Sequence, residues 1–179
     1  MKASIAVSFV LLIPALSGCL PNAVSYHRPT VEGGRNPSAR CVPIQSTVDL
    51  NVGLMPVRAG LNRKHVFLSL SRMPWQTLRF SSAEFRIRDL QTNRTIEPSA
   101  VEVFRDDGSK SLTAPYPEAA GTRAARGGSS FWIHVNLQDP IPEVFELIAP
   151  SVIVDGVEET FPAIRFERQQ WIGMSPLNC

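Results

Sequence analysis

From Val48 onward, apolar and polar residues alternate along much of the chain. Val48, Leu50, Val52 and Leu54 alternate with Asp49, Asn51 and Gly53, the period of a strand with one face in a core and the other in water. Val66, Leu68 and Leu70 alternate with Phe67, Ser69 and Ser71, and Phe85 and Ile87 with Glu84, Arg86 and Arg88. Gln91 to Arg94 reads as a turn into a short strand at Thr95–Glu97. Val101 and Val103 keep the pattern until Asp106-Asp107-Gly108 stops it. Phe131, Ile133, Val135 and Leu137 alternate with Trp132, His134 and Asn136, and Val144 to Ala149 is nearly continuous apolar chain. Val152 to Glu159 reads as a hairpin, because Asp155-Gly156 can supply the two positive φ values of a type I′ turn. Ala163 to Arg168 closes the set, and Gln169 to Cys179 reads as an irregular tail.

No window carries the 3.6-residue period of an amphipathic helix, and no internal repeat is present. About seven to nine short strands with turn signals every 8–12 residues or so predict an all-β protein. The predicted fold is a single β-sandwich of mostly antiparallel strands, with a barrel as the alternative closure. An immunoglobulin-like or transthyretin-like topology is compatible, although the Cys-Trp-Cys spacing of true immunoglobulin domains is absent.

The start of the chain follows other rules. Ile5 to Leu16 is apolar but for Ser8 and Pro14. Its length of about a dozen residues is too short to span a hydrocarbon core, which needs about 20. With Lys2 before it and small residues after it, this is the pattern of a secretory signal peptide. The small residues lead into a cysteine, and Leu16-Ser17-Gly18-Cys19 resembles the lipobox of bacterial lipoproteins. The resemblance covers residues 1–20. It implies removal of residues 1–18, a diacylglycerol on the Cys19 thiol, further palmitate-type acylation, and anchoring to a membrane without a spanning helix. Leu20, where an Asp would signal inner-membrane retention, implies an outer-membrane lipoprotein facing the periplasm. The competing reading is an ordinary signal peptide with a coincidental cysteine.

With Cys19 given to lipid, Cys41 and Cys179 remain, and an exported domain permits one bridge between them. A Cys41–Cys179 disulfide would close well over a hundred residues, worth up to roughly 4–5 kcal/mol by chain entropy. An intermolecular bridge through Cys179 is the alternative. Residues 19–40 hold Pro21, Pro29, Pro37 and Gly33-Gly34 with no apolar period. They predict a flexible tether with a mean span of roughly 25 Å and a limit near 70 Å. The sandwich domain is then expected over residues 41–179, about the size of one domain with a sizeable core.

Charge adds little to this. The formal net charge is +2, so the total implies neither nucleic acid nor a polyanionic surface as partner. Its distribution is uneven: residues 19–94 hold eleven Lys/Arg against four Asp/Glu, and residues 95–179 six against twelve. Opposite charges facing each other across strands account for this most simply.

Residues 105–128 break the strand rhythm. Loops of this length in compact domains are uncommon and serve binding or are plain insertions. Tyr116 between Pro115 and Pro117, with Arg123 and Arg126, would suit a partner-binding loop; a floppy insertion fits equally, and a short helix near Glu118–Arg126 is also allowed. The outward-phase pair Trp132 and His134 is a possible ligand groove, set against a surface aromatic or a second buried face.

Catalytic and metal patterns are missing from the sequence. It has no HExxH, no CxxC, no G-x-S-x-G elbow and no calcium-loop pattern, so neither a metal nor a cofactor is expected. These features predict a lipid-anchored cell-envelope protein that acts as a non-catalytic binding or assembly module for another envelope protein. A periplasmic immunity or inhibitor lipoprotein against a toxin or hydrolase is the rival within the binding class. An envelope hydrolase using His134 or turn carboxylates is the rival outside it.

Overall fold

The computed structural model describes residues 22–37, 44–72, 76–105, 110–111 and 129–173. Every regular element among them is a strand. In chain order these are β1 (Asn22–Thr30), β2 (Thr47–Val52), β3 (Met55–Asn62), β4 (His65–Arg72) and β5 (Leu78–Phe80). Next come β6 (Arg86–Asp89), β7 (Arg94–Ile96), β8 (Ala100–Arg105), β9 (Lys110–Ser111) and β10 (Ser129–Asn136). The chain continues through β11 (Val144–Ile148), β12 (Val152–Val154), β13 (Val157–Glu159) and β14 (Ile164–Gly173).

The strands form a β-sandwich with antiparallel pairing. One sheet has the order β2-β3-β4-β10-β8-β9 and the other β1-β14-β11-β6-β7; β13-β12-β5 make a small third sheet. The alternation read from the sequence is what builds the core. Val48, Leu50, Val57, Leu68, Leu70 and Ile133 of the first sheet pack in one cluster with Ile87, Phe145, Leu147, Ile164 and Phe166 of the second. The third sheet adds Leu78 and Val152 to the same cluster.

Turn chemistry fixes the registers. Asp155 and Gly156 have φ of 50° and 84° between the paired Val154 and Val157, the two positive values a type I′ turn needs. Asp155 also ties this hairpin to β5, its Oδ1 accepting from the Thr77 N–H at 2.7 Å. The β6–β7 turn is held by Asp89, whose carboxylate accepts from the Gln91 N–H at 2.8 Å and the Thr92 hydroxyl at 2.7 Å. These bonds keep the Asp89 carboxyl below the usual carboxylate range.

Several expectations are corrected. Leu54, read as the last core residue of its strand, is 94% exposed. It lies in the two-residue turn between Val52 and Met55, where Gly53 has a φ of 57°, so the alternation stops one residue pair early. The flexible tether over residues 19–40 does not hold for Asn22–Thr30, which is β1 and pairs along its whole length with β14. Nor is residue 169 onward an irregular tail as far as Gly173, because β14 runs to that point. Residues 105–128 are interrupted by β9, paired to Val103 and Phe104 of β8. The strands also outnumber the predicted seven to nine, since several are only two or three residues long.

Charge pairing between the two halves of the chain is present. Arg88 of β6 lies opposite Glu146 of β11 and donates to its carboxylate, and Lys64 pairs with Asp139. Cys19, Cys41, Cys179, Tyr116, Arg123 and Arg126 lie outside the described residues.

Candidate functional site

The outer face of the six-stranded sheet is unlike an ordinary solvated surface. Period two puts His65, Phe67 and Ser69 of β4 on it, together with Trp132 and His134 of β10 and Glu102 and Phe104 of β8. In register, Trp132 stands between Ser69 and Phe104, and His134 between Phe67 and Glu102. The rings meet across the diagonals of this grid, which lie within reach of aromatic side chains. His65 stacks on His134 with centroids 4.3 Å apart, and Phe104 packs on His134 at 4.6 Å. Phe67 contacts Trp132 at 5.8 Å. Phe67 also covers Gly60 on β3, where an added Cβ would come within 2.6 Å of the phenyl ring. Glycine is needed there because the ring occupies the space above its backbone.

The His134 imidazole is pushed below the ordinary histidine value, chiefly by burial and then by the neighbouring His65, with Glu102 opposing. Glu102 accepts from Asn136 Nδ2 at 3.4 Å.

Beside this aromatic strip lies a groove of about 570 Å³, with Trp132 on one side and Arg35, Asp49, Arg58, Ser69 and Ser71 among its other lining residues. Arg58 and Asp49 face each other across β3 and β2. Arg58 Nε donates to Asp49 Oδ1 at 2.6 Å and Nη2 to Oδ2 at 3.1 Å. Both side chains are roughly half exposed, so the pair contributes little to stability. Its effect is geometric: it fixes the guanidinium plane on the floor of the groove. Arg35 is brought to the edge by reciprocal backbone hydrogen bonds with Asp49, each 2.8 Å. Trp132 remains 39% exposed, so the indole presents a large apolar surface to whatever enters.

This face offers rigid aromatic surface, fixed hydrogen-bonding groups and balanced charge. Among the described residues, no group of three or more His, Cys, Asp or Glu is placed to hold a metal ion. Of the residues marked from the sequence, Trp132 and His134 fall together on this face. Phe67, His65, Phe104 and the Arg58–Asp49 pair were missed. An aromatic at the outward phase of β4, Phe67 between Val66 and Leu68, was the one available signal; the rest needed the cross-strand register. Compared with protein-family models, curated proteins and solved structures, the chain matches none.

Proposed function

We propose that this chain is a lipid-anchored, non-catalytic binding module of the bacterial cell envelope, facing the periplasm, which engages another envelope protein through the outer face of its six-stranded sheet. The observation that carries the reading is Trp132, left 39% exposed at the rim of the groove and backed by Phe67. Tryptophan and arginine dominate the energetics of protein interfaces when they stand on a firm base, and Trp132 and Arg58 both stand on strands of one sheet. Phe104 and Trp132, directly opposite each other, also flank the chain between Arg105 and Ser129. The segment expected to bind a partner, residues 105–128, connects the two strands that carry these rings, and its β9 pairs with β8. The Cys19 lipid anchor rests on the lipobox resemblance.

Crosslinking pull-down of the full chain from cell envelopes tests the reading. Trp132→Ala and Arg58→Ala should each deplete a partner recovered with the natural chain, and so should removal of residues 106–128. An unchanged partner list from folded variants contradicts the proposed face. Turnover of a cell-wall, lipid or peptide substrate that is lost in His134→Ala would replace the binding reading with the hydrolase one.

A further inference from the structure

The ladder between β1 and β14 ends at Asn22 and Gly173. The pairing of β14 with β11 extends only to Glu167. The Arg168 N–H still donates to the Glu143 carbonyl at 2.7 Å. From the pair Tyr26 and Gln169 to the pair Asn22 and Gly173, β1 and β14 pair with each other alone among the described residues, as a two-stranded ribbon. Directly paired residues share a side, so Val24 and Trp171 lie on one side near the tip and Ala23 and Ile172 on the other. The next pairs are Ser25 with Gln170 and Tyr26 with Gln169. Charge appears only at the base, where Arg168 donates to Glu143 at 2.5 Å and to Ser25 at 2.8 Å. Behind its end pair of Asn22 and Gly173, the ribbon thus grades from apolar pairs through amide and hydroxyl to ion pair along one axis. Ile172 is 71% exposed, and the Trp171 ring lies over Gly173, whose added Cβ would sit 2.4 Å from Trp171 Cζ2.

We infer that this ribbon tip docks onto the surface of the bilayer that carries the Cys19 anchor, an inference that rests on the lipid-anchor reading above. Only Leu20 and Pro21 separate Cys19 from Asn22, a reach of at most about 10 Å. An acylated Cys19 thus holds the tip at the headgroup layer. Tryptophan and aliphatic side chains without charge are what that layer accepts, with polar groups above them. Two-stranded ribbons are marginal in water, so the tip gains from being covered. Four side chains present too little area for a stable contact between two copies, which needs on the order of 800 Å² per partner.

The docking changes what β1 does. From Asn22 to Thr30 the strand spans about 26 Å at roughly 3.3 Å per residue, and the turn that follows brings Arg35 to the groove. β1 is then a rigid spacer that sets the binding face at the end of the strand away from the lipid.

Depth-dependent fluorescence quenching tests the inference. Full chain processed in cells is reconstituted into phosphatidylethanolamine/phosphatidylglycerol vesicles doped with brominated phosphatidylcholine. One variant, Trp75→Phe with Trp132→Phe, leaves Trp171 as the sole indole; the other, Trp75→Phe with Trp171→Phe, leaves Trp132. Quenching of Trp171 several-fold above that of Trp132 is expected. Equal quenching in protein that carries acyl mass on Cys19 and floats with the vesicles overturns the docking and leaves the anchor standing. Protein that lacks acyl mass and fails to float overturns the anchor reading, and the docking with it. Hydrogen exchange on the natural chain keeps the test independent of the substitutions. Amides of residues 22–26 and 169–173 should exchange more slowly on vesicles than in unacylated residues 19–179 free in buffer, and equal rates contradict the docking.

Discussion

His27 and His134 should make the protein sensitive to mild acid. Both are held below the ordinary histidine value, each chiefly by burial. The His27 ring tilts against Phe145 at 5.7 Å, and its Nε2–H donates to the Pro142 carbonyl at 3.1 Å. With the folded value depressed, the unfolded chain takes up protons first as pH falls. Stability is then complete above about 6.5 and declines as the pH drops below it toward the folded values. Thermal unfolding between pH 8 and 5 should show this decline, and His27→Phe and His134→Phe should each flatten it. A flat profile in the natural chain contradicts the assignment. The two-residue turns give a second test of opposite sign. Gly53 has a φ of 57° and an added Cβ would meet Glu159 at 2.7 Å, whereas Arg63 holds a φ of 53° in the β3–β4 turn. Gly53→Ala should cost about 1–2 kcal/mol, while Arg63→Gly should be neutral or stabilising by up to about 1 kcal/mol. Denaturant unfolding reads both.

At the scale of the elements, burial and exposure separate structure from function. Phe166 of β14 is fully buried and stacks on Phe145 at 5.0 Å, so Phe166→Ala should cost about 3–5 kcal/mol. Trp132→Ala, on the outer face, should change stability by no more than about 1 kcal/mol. A loss at Trp132 as large as that at Phe166 would make it a structural residue. Strands with a clean inner face, such as β2, β4 and β10, were legible because alternation alone specifies them, and β11 was legible as a nearly continuous apolar run. β1 was not. Its sequence Asn-Ala-Val-Ser-Tyr-His-Arg-Pro-Thr has no alternation, and Pro29 argues against a central strand. It is a strand because β14 lies beside it, and Pro29 is tolerated because β1 is an edge. The candidate site was half legible for a related reason. Trp132 and His134 declare themselves by phase, but His65 and Phe104 reach them only because β10 inserts between β4 and β8. That pairing joins residues far apart in sequence, and no local pattern encodes it.

In the whole molecule as proposed, β1 would carry the lipid anchor beyond its Asn22 end and lead from its Thr30 end to the groove beside the aromatic face. A protein built this way displays its face at a set distance from the bilayer, where a loose tether would let it wander. The central claim is that a partner meets the outer face of the six-stranded sheet. Site-specific photocrosslinking in living cells tests it most directly, with the reactive amino acid placed at Ser71 in the groove and, separately, at Arg165, an exposed position on the other sheet. The account predicts a discrete crosslinked envelope protein from Ser71, lost when Trp132→Ala is added, and none from Arg165. The same species from both positions, or one from Arg165 alone, would contradict it.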